Sequence, residues 1–223
     1  MFYHHRKKEN LKIKSTPNHI LLVFVKHPEP GKVKTRLAED LGAEKAAQIY
    51  SHMAKTIINN VSKSTEYKTL VFFDPPERKK DIEKWLSKNY ELFPQEGKSL
   101  GERMENAFRK AFSLGAEKTV IIGTDCVEIS KGIISQAFDS LDEMDVVLGP
   151  AEDGGYYLLG MKKLIPEIFD DIGWSTSHVL DQTIDKIKKK GRKFGLLEIL
   201  RDIDTITDFY DDLLSKIQES KNS

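Results

Sequence analysis

One cysteine, Cys126, stands in a chain of 223 residues, so no disulfide can close within it and a reducing compartment is expected. Net charge is just as scarce. Lysine plus arginine and aspartate plus glutamate both total 35, a balance that argues against general nucleic-acid binding. Long apolar runs are missing too: the longest, Ile20–Val25, has six residues, against the roughly 18–20 that a spanning helix needs. Residues 1–19 hold no apolar core of a signal peptide. These absences lead to the expectation of a soluble, cytoplasmic protein with neither a membrane nor a nucleic-acid partner.

Residues 1–19 are instead polar and basic, with His4, His5, Arg6, Lys7, Lys8, Lys12 and Lys14, and read as a disordered tail. A partner-binding arm is the alternative. The remainder, 20–215, shows no repeat or low-complexity stretch and reads as a single domain. A chain of this length buries roughly 70–75% of its unfolded surface and needs no staples.

The stretch that organises the chain is Thr119–Cys126. Val120, Ile121 and Ile122 are three β-branched apolar residues in a row, the pattern of a strand buried on both faces of a parallel sheet. Gly123 ends it, and Asp125 then stands at its carboxyl end, where open α/β sheets bind ligands. A lone buried carboxylate is costly, and the simplest partner for it is a divalent cation. Cys126 beside it reads as a small apolar filler rather than a ligand or nucleophile.

A second apolar strand, Ile20–Val25, runs into Lys26-His-Pro-Glu-Pro-Gly-Lys-Val-Lys-Thr-Arg36. Pro28, Pro30 and Gly31 make this a loop. It carries Lys26, Lys32, Lys34 and Arg36 directly after a buried strand, and Thr35 could cap the next helix. Backbone N–H groups and these cations could therefore converge on a phosphate. A solvated basic loop is the plainer alternative, and His27 reads as structural or solvated.

Helical periodicity follows from Leu37 to about Ser62, with Ala46, Ile49, Tyr50, Met53, Ile57 and Val61 near i, i+3, i+4 spacing and Gly42 as a possible break. A strand is expected over Lys68–Phe73, a charged helix over about Glu77–Lys88, and a short segment over Tyr90–Pro94. Ser99 and Glu102 have capping-box spacing before a helix with Met104, Ala107, Phe108 and Ala111 as its buried stripe. Further expectations are a helix from about Ser130 to Leu141, a strand over Asp145–Gly149, a helix from about His178 to Lys190 and a strand over Phe194–Leu200.

Asp153-Gly154-Gly155 reads equally as a hairpin turn and as a place where a substrate nears the backbone beside a projecting Asp153. Trp174 could stack on a base or sugar, or be buried at a helix entrance. Ser175, Thr176 and Ser177 suit a helix N-cap. Asp202 and Asp204 share one side of an extended segment, although Asp204 or Thr205 could equally cap the last helix.

Strands alternating with helices give an α/β fold: a doubly wound, mostly parallel sheet with helices on both faces. Six segments taken together carry a resemblance. They are Lys26–Leu37, Leu100–Met104, Ile122–Cys126, Leu148–Gly160, Trp174–Thr176 and Asp202–Thr205. In this order they resemble the GT-A-like glycosyltransferase family of the arsenosugar-biosynthesis type. They are more distantly similar to the guanylyltransferases that activate 2-phospholactate and molybdopterin. The resemblance covers about residues 20–210, and departs from the family at Val127, where proline is usual.

It implies a GT-A fold, with a nucleotide half formed by the early strands and an acceptor half by the later ones. Nucleotide and phosphate contacts are then expected at Lys26, Gly31, Lys34, Arg36, Gly123 and Thr124. Acceptor contacts are expected at Gly154, Gly155, Tyr156 and Trp174. Asp125 would hold Mg²⁺ or Mn²⁺, joined by Asp202 and Asp204 through the guanylyltransferase likeness. Asp153 is the candidate for orienting or deprotonating the acceptor hydroxyl. The expected reaction is metal-dependent transfer of a sugar from a nucleotide-diphosphate-sugar donor to a small-molecule acceptor. Nucleotidyl transfer from a nucleoside triphosphate is one alternative, and nucleotide binding without turnover is another.

Overall fold

A computed structural model describes residues 18–86 and 90–210. The tail expected at 1–19 therefore lies outside the described residues up to position 17, as do residues 211–215 at the far end of the expected domain. Strand β1 (His19–Lys26) is central because both its faces are apolar. Leu21, Val23 and Val25 enter one core, and Ile20, Leu22 and Phe24 enter the other. A slip of one residue would exchange the two sets, so the register is tightly specified.

Around β1 stand β2 (Lys68–Asp74), β3 (Glu91–Pro94), β4 (Lys118–Ile122), β5 (Val146–Pro150), β6 (Tyr156–Met161) and β7 (Phe194–Leu196), in the order β3-β2-β1-β4-β6-β5-β7. All pairings are parallel except those of β6, which runs against both β4 and β5. The helices are α1 (Thr35–Leu41), α2 (Ala43–Val61), α3 (Lys79–Leu86), α4 (Leu100–Ser113), α5 (Lys131–Ser140) and α6 (Val179–Lys189). Helices α2, α3 and α5 cover one face through Ile57, Ile82 and Ile134. Helices α4 and α6 cover the other through Met104, Phe108 and Ile187. The doubly wound, mostly parallel α/β sheet expected from the sequence is thus the observed architecture. No helix among the described residues is long and apolar enough to cross a membrane.

Several local expectations shift. Gly42 does divide the first helical stretch, at φ 83°. The charged helix is shorter than its pattern, because Pro76–Arg78 forms a 3₁₀ turn before α3 begins at Lys79. The last strand keeps only Phe194–Leu196. Leu200 returns as a single bridge to Ala151, past the irregular end of β5 at Gly149 and Pro150. The Ser99 cap forms as read, its hydroxyl accepting from Glu102 N at 3.2 Å while Glu102 accepts from Lys98 N at 2.8 Å.

The chain steps from β1 outward to β2 and β3, then returns to place β4 on the other side of β1. Ligands of open α/β sheets bind at such a switch point. In register, Val23 lies opposite Ile122, so the residues after Ile122 emerge beside Phe24–Lys26.

Candidate active site

Two loops meet at that switch point. The first, residues 27–34, is pinned by Val33, which is buried against Ala47, Tyr50 and Ala54 of α2. Gly31 takes φ 78°, and Lys34 itself sits in the left-handed region at φ 46°. Lys34 is the cap position of α1, with no side-chain hydrogen bond there. Thr35 therefore lies inside the first turn and is not the cap that its hydroxyl suggested. The Lys34 side chain is only 2% exposed, and its Nζ reaches Asp125 Oδ1 at 2.5 Å and Asp204 Oδ1 at 2.8 Å. Burial works against the ammonium, but the two carboxylates outweigh it and hold its pKa above the ordinary lysine value.

The second loop follows β4. Buried Thr124 turns its hydroxyl toward Tyr50 Oη at 3.1 Å and donates to Phe24 O at 3.4 Å. Tyr50 also accepts from Lys26 N at 2.8 Å. A single phenol of α2 thereby joins the end of β1 to the residue before Asp125, and burial pushes its pKa up to about 12. Sequence periodicity had placed Tyr50 only in the apolar stripe of the helix. The available signal was its hydroxyl, since a buried tyrosine usually finds a partner. Tyr50→Phe should cost about 1–2 kcal/mol, because it removes the acceptor of the Lys26 N–H and leaves the buried Thr124 hydroxyl only its 3.4 Å bond to Phe24 O. Urea denaturation checks this, and an unchanged midpoint would remove Tyr50 from the frame of the site.

The segment 201–204 closes the floor. Ile203 is buried and donates its N–H to Asp125 O at 3.1 Å, so its neighbours Asp202 and Asp204 both turn to the open side. Cys126 donates from Sγ to Asp202 Oδ1 at 2.8 Å and approaches Arg201 O at 3.2 Å. Burial first, and then the neighbouring carboxylates, push the thiol far above its ordinary range, so it keeps its proton and donates a hydrogen bond. Burial also raises Asp202 to about 6, aided by the charges of Asp125, Asp153 and Asp204. The open choice at the last helix falls to Thr205. Its Oγ1 accepts from Asp208 N at 3.3 Å, while Asp208 accepts from Thr205 N at 2.7 Å. Asp204 is left to Lys34.

The far wall comes from the β5–β6 turn. Gly154 takes φ 86°, and Asp153 Oδ1 accepts from Gly155 N at 2.8 Å. The turn is a hairpin, and the close approach that Gly154 permits is to protein. A Cβ there would lie 2.1 Å from the Ser177 carbonyl oxygen. Trp174 rests on α4, where a Cβ at Gly101 would stand 2.7 Å from the indole. One side of the ring is therefore packed while the residue still lines the cleft. The hydroxyls expected to cap α6 do not do so: His178 is the cap position without a side-chain bond, and Thr176 Oγ1 donates back to Gly173 O at 2.7 Å.

Together these parts enclose a cleft of about 760 Å³. Lys26, Lys34, Arg36, Gly123 and Thr124, the residues expected to meet a nucleotide, line it. Asp125, Asp202 and Asp204 form its acidic floor, and Asp153, Gly155, Tyr156 and Trp174, the residues expected to meet an acceptor, line it as well. Gly31 and Gly154 shape the bordering turns without lining the cleft. Lys32, Tyr50, Leu100 and Met104 line it in addition. The floor carboxylates are hard oxygen donors of the kind Mg²⁺ and Mn²⁺ prefer, and Asp202, raised by burial first, also feels the charges of Asp125, Asp153 and Asp204. Among the described residues, no three acidic, histidine or cysteine side chains already converge as a ready metal cage. The donor chemistry fits, with Lys34 standing between two of the three carboxylates.

The family model described as "uncharacterized protein conserved in bacteria (DUF2064)" matches residues 57–176. The chain belongs to this family. The matched residues of the DUF2064 protein contain Asp125, Asp153 and Trp174, whereas the basic loop and Asp202–Asp204 fall outside them. A candidate nucleotide-diphospho-sugar transferase from Desulfovibrio desulfuricans G20 is 34% identical, with a TM-score of 0.83 over 86% of this chain and 85% of that one. A cytidylyltransferase from Leptospira borgpetersenii serovar Hardjo-bovis (strain JB197) is 14% identical, with a TM-score of 0.58 over 92% and 96% of the two chains. A nucleotidyl transferase from Methanothermobacter thermautotroptrophicus is 13% identical, with a TM-score of 0.60 over 89% and 99%. The last two likenesses show the fold alone, which is of the GT-A and nucleotidyltransferase type. No curated protein matches the sequence.

Proposed function

We propose that this DUF2064 protein transfers a sugar from a nucleotide-diphosphate-sugar to a small hydroxyl-bearing acceptor. The observation that carries the reading is the cleft at the β1/β4 switch point. It sets a basic loop beside an acidic floor and faces both with a separate wall bearing Asp153 and Trp174. The 34% identical candidate nucleotide-diphospho-sugar transferase supports the same donor class, and so does the resemblance to arsenosugar-biosynthesis-type enzymes. Lys26 and Arg36 border the cleft as exposed cations and would neutralise the diphosphate, a contribution that grows as the donor excludes water. A bound Mg²⁺ or Mn²⁺, held by Asp125 with Asp202 and Asp204, would supply Lewis-acid charge to the departing diphosphate. Asp153 is exposed on the turn and placed to orient the acceptor or take its proton.

Nucleotidyl transfer is the second reading, favoured by the fold shared with the cytidylyltransferase and the nucleotidyl transferase. The two reactions leave different products. Incubation with nucleotide sugars and an acceptor library in Mn²⁺ should release a nucleoside diphosphate. Release of pyrophosphate from a triphosphate would replace the first reading by the second, and nucleotide affinity with neither product would leave a binding protein.

A further inference from the structure

We propose that Lys34 is a resident cation that holds the place of a divalent metal between Asp125 and Asp204, and that it must leave this place for the metal to enter. The inference rests on the reading of these carboxylates as metal ligands and assigns their occupant in the absence of metal.

The geometry is that of a bridge. One ammonium nitrogen lies 2.5 Å from Asp125 Oδ1 and 2.8 Å from Asp204 Oδ1. Mg²⁺ binds oxygen at about 2.0–2.1 Å with strict geometry. A metal sharing the same two oxygens would thus fall within the volume of the ammonium group, and the two cations exclude each other. Both carboxylates are also open to the cleft, with side chains 48% and 41% exposed, while Lys34 is 2% exposed beneath them. A metal arriving from solvent meets the carboxylates first and the lysine behind them.

The backbone supports a dedicated role. A non-glycine residue at positive φ is uncommon and persists where its surroundings over-determine it. Lys34 is held at φ 46° between buried Val33 and the start of α1, with no helix-capping bond from its side chain. Its ion pairs are the side-chain contacts found in return. The four-carbon stem is flexible and enters the same cleft as Lys26 and Arg36. Once displaced, the ammonium can serve the donor diphosphate. Metal entry and the arming of the phosphate side then become a single event.

The test follows the amine directly. Wild-type protein is treated with acetic anhydride with and without saturating Mn²⁺, and labelling of each lysine is read by mass spectrometry. Lys34 should be protected without metal and should label as readily as exposed Lys32 with it. Calorimetric titration of Mn²⁺ accompanies this. Lys34→Met should bind Mn²⁺ about tenfold or more tightly than wild type, within the usual range of such couplings. Lys34→Arg, whose guanidinium can grip both carboxylates, should bind it more weakly and serves as the folded control. Mn²⁺ binding with Lys34 still protected would overturn the displacement and spare the metal reading. No Mn²⁺ binding by wild type or by Lys34→Met would overturn both.

Discussion

Asp125→Asn is expected to lower turnover by about a thousandfold or more, equivalent to about 4 kcal/mol of transition-state stabilisation. The amide keeps the shape of the side chain and removes its charge. With that charge go the proposed metal ligand nearest the end of β4 and one of the two partners of Lys34. Stability should fall by about 1–3 kcal/mol, because the Lys34 side chain is 2% exposed and keeps only Asp204 as a charged partner. Nucleoside diphosphate release and calorimetric Mn²⁺ titration check the two halves of the claim, with a thermal melt as control. A variant that retains a tenth of wild-type turnover would mean that the floor of the cleft is not built around this carboxylate.

Gly154→Ala is expected to be nearly as damaging, from a position that does not line the cleft. A Cβ would stand 2.1 Å from the Ser177 carbonyl oxygen, a backbone atom that cannot rotate aside, and the residue would be strained at φ 86°. The β5–β6 turn and the 174–178 segment must then separate, which threatens the bond from Leu180 N to Gly154 O, 3.0 Å long. Left-handed strain and overpacking together should cost about 2–4 kcal/mol. Asp153 and Trp174 ride on the two displaced pieces, and small misplacements of this kind cost about a hundredfold in rate. Urea denaturation and steady-state rates measure both effects. A wild-type unfolding midpoint would show that the Ser177 segment yields freely and that the far wall is not rigid.

Most of the frame was legible because it is written in local pattern. The apolar runs of β1 and β4, the periodicity of α2 and α4, and the Ser99–Glu102 cap depend on near neighbours in sequence, and each formed as read. The antiparallel strand β6 was foreshadowed by the hairpin chemistry of Asp153-Gly154. What could not be read depends on distant partners. Lys34 has the chemistry of a phosphate ligand, and nothing near it in sequence indicates that Asp125 and Asp204 hold it. Tyr50 looked apolar because helical period records which face is buried, and is silent on where a hydroxyl points. Phe194–Leu200 looked like one strand, yet β5 ends before it can pair along its full length. Thr35 had a capping hydroxyl, but Lys34 took the cap position when its backbone turned left-handed.

The contact between Lys34 and Asp204 joins residues 170 apart in the chain. Closing so long a loop is entropically expensive and is favoured only after intervening contacts have shortened it. The first four strands and their helices can gather around β1 without residues 201–204. The floor of the cleft is thus expected to assemble last, with the acidic charges gathered only once the sheet that supports them exists. Running backward, the same order makes the closing segment the first to lift. Loss of activity should then precede loss of the fold as conditions grow harsher.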